Sequence, residues 1–290
     1  MGGRLTSALR ISPRGTSWPS ELDRIEAPPD ALWLKGRVDW IGVRPRVGIV
    51  GTRSPTPYGE AQAERFGRAL AAAGFAVVSG LARGVDQAAH GGALDVGGCT
   101  IAVLGSGVER PWPRDRMAQR VVDEGLVLSE YEPEVAPRRH HFPMRNRLLA
   151  GLCVGVVVIE AAARSGSLIT AHWAADQGRS VWALPGRVDH PMSRGAHRLI
   201  REGATLVEDP EEVIAEVLGV PSPRSSEVGG GTAAGPEADA LEQALLGETL
   251  TADDLAQRLD RPLADVLARL VQLELDGRVA RAPGGLYRRR

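Results

Sequence analysis

Lysine is almost missing from this 290-residue sequence: Lys35 is the only one, and the rest of the 35 basic residues are arginines. That absence excludes a function class. A Walker-type ATPase needs a GxxxxGK[ST] loop whose lysine reaches the nucleotide phosphates, and no such run occurs. Lys35 is expected ahead of the first strand of the sheet, where it could serve no phosphate loop. The dinucleotide fingerprint is missing as well, because Gly105-Ser106-Gly107 continues as Val108-Glu109-Arg110 without the third glycine. Cysteine is scarce, and Cys99 and Cys153 lie far apart in apolar, strand-like runs, so no disulfide framework is expected. No apolar run approaches the roughly 18 residues of a membrane helix, and the start MGGRLTSALR lacks a signal-peptide core. A soluble cytoplasmic protein with no membrane partner is the expectation. Charge of one sign is not in excess either: the net charge is −1, so a nucleic-acid site must be a local patch. The histidines His90, His140, His141, His172, His190 and His197 show no compact ligand spacing, and neither a metal nor a cofactor is expected.

What is present is an alternation of short apolar strands and helices beginning after Trp40. Strands are expected at 46–50, 76–79, 100–104, 126–129, 154–160, 180–184 and 205–207. Helices are expected at 58–73, 85–95, 116–124, 144–152, 168–177 and 197–202. Strands of four to seven apolar residues separated by helices predict an α/β domain with a doubly wound, mostly parallel sheet covered on both faces. Residues 221–236 (PSPRSSEVGGGTAAGP) are rich in Gly, Pro and Ser and read as a flexible linker. Beyond it, helical spacing over 238–246, 251–259 and 263–275, with Thr251 as an N-cap, precedes two short strands about the turn 283–285. That pattern is a winged helix. The expected organisation is a short extension over 1–40, a Rossmann-like domain over 41–220, the linker over 221–236 and a winged helix over 237–290.

In a doubly wound sheet, ligands bind outside the carboxyl ends of the strands. The first such loop, Gly51-Thr52-Arg53-Ser54, combines glycine, hydroxyls and arginine at a helix start, a setting that suits phosphate. The second repeats the recipe with Ser79, Gly80, Arg83 and Gly84. A third cluster places Arg145, Asn146 and Arg147 near an expected helix N-terminus, where arginine opposes the macrodipole unless an anion is near. Ser165, Gly166 and Ser167 form a fourth loop, and Arg114 after the third strand extends the patch. Several phosphate sites in series suit a nucleic-acid backbone better than one mononucleotide. Asp86 and Glu160 at strand ends could be an acid/base pair, but a structural role, orienting Arg83 or a loop amide, is the favoured reading. Trp112 and Trp182 near loops could stack on bases, with core packing favoured for each.

The runs GTRSPTPYG, SGLARGVDQAAH, IAVLGSGVERPWPR, LSEYEP, HHFPMRNRLLAG, VVVIEAAARSGSLITA and ALPGRVDHPMSRGAHRLIREGA occur in this order before the winged-helix tail. In this the chain resembles the DNA-processing DprA (Smf) family over about residues 28–290. The resemblance implies an extended Rossmann-fold protein that is not an enzyme. Such a protein binds single-stranded DNA during natural transformation, protects incoming strands, and loads the RecA recombinase as a homodimer. It also implies that Arg53, Ser79, Gly80, Arg114, Arg145 and Arg147 fall at DNA-contact or pocket positions, and that His197, Arg201 and Leu206 are candidates for the dimer or RecA interface. Family members usually carry a longer helical N-terminal module, so residues 1–40 are expected to be a reduced form of it.

Two other readings make different demands. A nucleotide phosphoribohydrolase of the lysine-decarboxylase-like group would release base from nucleoside monophosphates. Its PGGxGTxxE signature is absent, the nearest segment, AAARSGSLITA, keeping only Gly166. A winged-helix regulator with a ligand-binding Rossmann domain would bind duplex tightly through residues 237–290. The expected recognition helix carries Asp265 and Glu274 against Arg269, a poor surface for a major groove.

Overall fold

The computed structural model describes residues 4–221, 240–245, 250–275, 278–282 and 285–289. The chain divides into two compact units, residues 1–226 and 227–290.

The first unit is built on a nine-stranded sheet, and its strands are β1 (Arg4–Ile11), β2 (Leu32–Arg37), β3 (Arg46–Val50), β4 (Ala76–Ser79), β5 (Thr100–Val103), β6 (Leu126–Ser129), β7 (Gly155–Val158), β8 (Ser180–Ala183) and β9 (Thr205–Leu206). Its spatial order is β1-β2-β6-β5-β4-β3-β7-β8-β9. From β6 to β9 every pairing is parallel, while β1 and β2 add an antiparallel edge. The central parallel strands are covered on both faces and therefore read as unbroken apolar runs; all five residues of β3 are buried.

Helices α1 (Pro57–Ala72), α2 (Val85–Asp95) and α7 (Pro210–Leu218) cover one face, on a core that includes Val47, Ile49, Phe66, Leu70, Val157, Trp182 and Val213. Helices α4 (His141–Leu152), α5 (Ser167–Asp176) and α6 (Arg194–Arg201) cover the other, around Val50, Val78, Ile101, Leu148, Val156 and Leu199. Helix α3 (Arg116–Glu124) packs with Leu104 and Val127 on a smaller cluster. The chain winds outward from β3 through β4, β5 and β6, then returns to β7 on the other side of β3 and winds the opposite way. The switch point therefore lies between β3 and β7, and a crevice opens where loops leave adjacent strands in opposite directions.

Three expectations need correction. Residues 1–40 are not a helical remnant: β1 and β2 are strands of the sheet, β2 pairing with β6 at Trp33↔Ser129 and Gly36↔Leu126. Lys35 consequently does not precede the sheet. It lies within β2 opposite Val127, and its Nζ meets Glu109 Oε2 at 2.5 Å. Helix α7 is additional, lying beyond the last expected strand. It starts at Pro210 with Glu211 and Glu212 in its first turn and ends at left-handed Gly219.

In the second unit, α8 (Ala240–Ala244), α9 (Ala252–Leu259) and α10 (Leu263–Leu275) pack through Leu241, Leu255, Val266, Leu270 and Leu273 against Val279 and Tyr287. Strands β10 (Leu250–Thr251), β11 (Val279–Ala282) and β12 (Leu286–Arg289) form an antiparallel sheet in the order β10-β12-β11. Thr251 caps α9 in a reciprocal box with Asp254, their bonds being 3.1 Å from Asp254 N–H to the Thr251 hydroxyl and 3.1 Å from Thr251 N–H to the carboxylate. Helix α10 presents Leu263, Leu267 and Val271 to solvent at every fourth residue. The expected linker lies, apart from Pro221, outside the described residues, as do Pro283 and Gly284 of the expected turn.

Candidate nucleic-acid interface

At the switch point, the loop after β3 is drawn onto the end of β7. Thr52 N–H donates to the Glu160 carbonyl at 2.7 Å. The Glu160 carboxylate accepts from Thr56 twice, at 2.9 Å from its N–H and 2.7 Å from its hydroxyl. Thr56 Oγ1 in turn accepts from Gly59 N–H at 3.1 Å, capping α1. Gly51 permits this close packing, since a Cβ there would lie 2.6 Å from Val85 Cγ2 and 2.9 Å from the Glu160 carbonyl oxygen. With the loop held at both ends, Arg53 and Ser54 project into solvent.

The loop after β4 is organised by Asp86 from within. Its buried carboxylate accepts from Gly80 N–H at 3.0 Å and Ala82 N–H at 3.3 Å, filling the place that a phosphate was expected to take on those amides. Burial raises its pKa to about 6 against the opposing pull of Arg145 and of the two amides. Ser79 is also spent inside the fold, donating to the Ile49 carbonyl at 2.6 Å. Gly84, at φ 83°, lets the chain pass Thr52, whose carbonyl oxygen would lie 2.6 Å from a Cβ. The Ser79 hydroxyl and the Gly80 amide thus have partners within the fold, while Gly80 itself lines the cavities described below. Arg83 remains exposed, 3.7 Å from Asp115.

Helix α4 begins at His141, earlier than expected, so Arg145 and Arg147 sit past its first turn and their cost is met by protein rather than by an anion. Arg145 is buried and donates to the Gly80 carbonyl at 2.9 Å and to the Val103 carbonyl. Burial pulls its pKa down to about 10 although Asp86 stands near. Arg147 is also buried, in a two-pronged pair with Glu130 at 2.6 and 2.7 Å, and it donates to the Ala27 carbonyl at 3.0 Å. Arg147 therefore serves as a strut, and it lines neither of the cavities described below. Arg145 supports the Gly80 loop while lining the cavity beside it.

Around these supports opens a cavity of about 520 Å³. The lining brings together Gly51 and Arg53 from the first loop, Gly80 from the second, Arg145 and Asn146 from α4, and Ser165, Gly166 and Ser167 from the loop after β7. The hydroxyls of Ser165 and Ser167 are 2.7 Å apart at the start of α5. A neighbouring cavity of about 350 Å³ shares Arg53, Gly80, Ala82 and Phe142 with the first and adds Ser54, Arg83 and Trp112, so the two form one groove. Arg53, with its guanidinium carbon 5.9 Å from the Phe142 ring centre, stands where they meet. Thr52 and Gly84 shape the rim without lining either cavity, and Arg114 lies exposed one residue beyond Pro113.

Sequence reasoning missed Arg139 and Phe142, which line the inner cavity; the adjacent Arg138-Arg139 pair and the aromatic residue before Pro143 were the available signals. Trp182 is core, as favoured. Trp112 is not, being 51% exposed. Asp86 and Glu160 both hold loop amides, and Arg83 turns instead to Asp115. Among the described residues no group of acidic, histidine or cysteine side chains has the arrangement of a metal site. At the far edge of the sheet, Leu206 on β9 is 45% exposed, Arg201 ends α6 in solvent, and His197 Nε2 lies 2.9 Å from the Gly186 carbonyl oxygen. No helix among the described residues is long and apolar enough to cross a membrane.

A doubly wound, mostly parallel sheet with an arginine-lined groove at its switch point, followed by a small winged helix, defines a Rossmann-like protein with a cleft at the carboxyl ends of its strands. Residues 10–218 match the family model for DNA recombination-mediator protein A, and residues 230–285 match that for the DprA winged helix domain. The chain belongs to the DprA/Smf family. It is 39% identical over 289 residues to protein Smf of Escherichia coli, covering 94% of this chain and 75% of that one. The solved structure of DNA processing protein A from Streptococcus pneumoniae superposes with a TM-score of 0.68 at 41% identity, covering 73% of this chain and 75% of the other. That of Helicobacter pylori DNA processing protein A, a study of its single-stranded DNA binding mode, gives 0.66 at 29% identity and covers 76% and 99%.

Proposed function

We propose that this protein holds single-stranded DNA by its phosphates in the groove at the β3–β7 switch point, protects it, and passes it to a RecA-type recombinase, with no chemical step of its own. The observation that carries this reading is the division among the arginines. Arg145 and Arg147 are buried and spent on the scaffold, whereas Arg53 and Arg139 line the groove in solvent with no carboxylate partner among the described residues. Two solvent-facing arginines without a carboxylate partner thus supply local positive charge in the groove of a protein whose net charge is −1. The single-stranded DNA binding mode of the Helicobacter pylori relative supports strand over duplex. Protection of incoming DNA, transfer to RecA, and a homodimer through His197, Arg201 and Leu206 extend the same reading, and membership of the family supports them. The carboxylates argue against hydrolysis, because Asp86 and Glu160 are committed to loop amides.

The test is competition between single-stranded and duplex oligonucleotides of equal length for the full-length protein. Preference for the single strand, with overall affinity lowered by Arg53→Ala and Arg139→Ala, is the expected result. Equal affinity for both forms would overturn the reading.

A further inference from the structure

The outer half of the groove contains a side chain that the phosphate argument leaves unused. Trp112 is 51% exposed, and no described residue hydrogen-bonds to its indole or stacks on it. Three other indoles have partners: Trp182 Nε1 donates to Glu216 at 2.7 Å, Trp18 Nε1 donates to Asp23 at 2.8 Å, and Trp40 lies 4.7 Å beneath the Arg37 guanidinium. Trp112 stands instead at the wall of the 350 Å³ cavity, facing the same space as Phe142, Arg53 and Arg83. A large apolar face left in water beside two cations is matched by a planar ring that carries its own phosphate, and such a cavity has room for about one nucleotide.

We infer that Trp112 is the base-stacking platform of the groove, and that through it the site selects unpaired over paired DNA. The inference rests on the reading of the groove as a DNA site and adds to it the basis of strand discrimination. Arginines that touch only phosphate cannot distinguish a single strand from a duplex, because both display the same backbone. A base can stack on Trp112 only when its face is free, and in a duplex both faces are covered by neighbours. The two cavities share Arg53, so a strand with one nucleotide in the inner cavity would place an adjoining one at Trp112, with Arg53 between them.

Binding of the full-length protein and of its Trp112→Ala and Trp112→Phe variants would be measured against three probes of equal length. These are an oligothymidine, an abasic oligonucleotide carrying only sugar and phosphate, and a duplex. Trp112→Ala is expected to weaken oligothymidine binding roughly tenfold, to leave abasic and duplex binding within about twofold, and Trp112→Phe to restore most of the loss. Unchanged abasic binding shows that the variant is folded. The wild-type fluorescence minus that of Trp112→Phe should be quenched by oligothymidine and not by the abasic strand. Equal loss on all three probes, or no loss on any, would overturn the role of Trp112, the latter leaving its exposed face to a protein partner. Those outcomes spare the DNA reading as long as the wild type binds oligothymidine and Arg53→Ala weakens it. A wild type that binds none of the probes would defeat that reading itself.

Discussion

Glu160 grips Thr56 by both its backbone N–H and its hydroxyl, 104 residues apart in sequence, and so ties the first loop of the groove to the end of the neighbouring strand. The shared carboxylate makes loop geometry depend on a buried residue. Glu160→Ala leaves the Thr56 donors without that acceptor and should destabilise the first unit by about 1–3 kcal/mol. It should also weaken single-stranded DNA binding, because Arg53 is displaced. Glu160→Gln, which keeps one acceptor, should fall between the two. Denaturant unfolding together with oligonucleotide titration checks this, and a stable variant with undiminished affinity would contradict it.

Asp86 gives a prediction in pH. Its pKa is raised from 3.8 to about 6, chiefly by burial, so the folded protein binds this proton more tightly than the unfolded chain does. Such a group contributes stability that is fully present below about pH 4 and is lost as pH rises through about 6. Asp86→Asn should therefore gain on the wild type by on the order of 2–3 kcal/mol between pH 4 and pH 7. Unfolding free energies of both proteins across that interval measure the difference, and parallel curves would contradict the assignment.

Arg147 should separate stability from binding. Removing it leaves Glu130 in a largely enclosed pair without its cation, and Arg147→Ala should lower stability by about 3 kcal/mol. The folded fraction should keep wild-type affinity for DNA. Arg53→Ala should do the reverse, with stability within about 0.5 kcal/mol of wild type and affinity reduced. Thermal unfolding and oligonucleotide titration of the two variants side by side decide the matter.

Leu206 tests the proposed self-association. It lies on the outermost strand with its side chain half in water. Leu206→Arg should convert a dimer to a monomer in light scattering while leaving the affinity of each groove unchanged. A wild type that is monomeric throughout the concentration range would contradict the proposal.

The parallel core is legible in the sequence because strands buried on both faces are written as unbroken apolar runs, and β3 through β8 each lie within a residue or two of the expected range. The antiparallel edge is not. In β2 only the alternate residues Leu32, Leu34 and Gly36 are buried, and half-polar alternation ending in Gly36-Arg37 resembles a loop. Helix α4 starts earlier than expected because Pro143 reads as a barrier in sequence, although proline is tolerated in a first helical turn. At the site, residue types are readable and roles are not. Arg53, Arg145 and Arg147 are the same letter in similar surroundings, and only the fold shows that two of them have internal partners. Asp86 illustrates the same limit, since a loop shaped to receive a phosphate can be filled by the chain's own carboxylate.

The most direct test of the central claim is the salt dependence of single-stranded DNA binding for wild type, Arg53→Ala and Arg147→Ala. If the groove holds phosphates through its solvent-facing arginines, log K should fall linearly with log salt, and Arg53→Ala should flatten the slope by about 0.7, the share of a single neutralised phosphate. Arg147→Ala should leave the slope unchanged. A slope insensitive to Arg53, or one flattened equally by Arg147→Ala, would contradict the account.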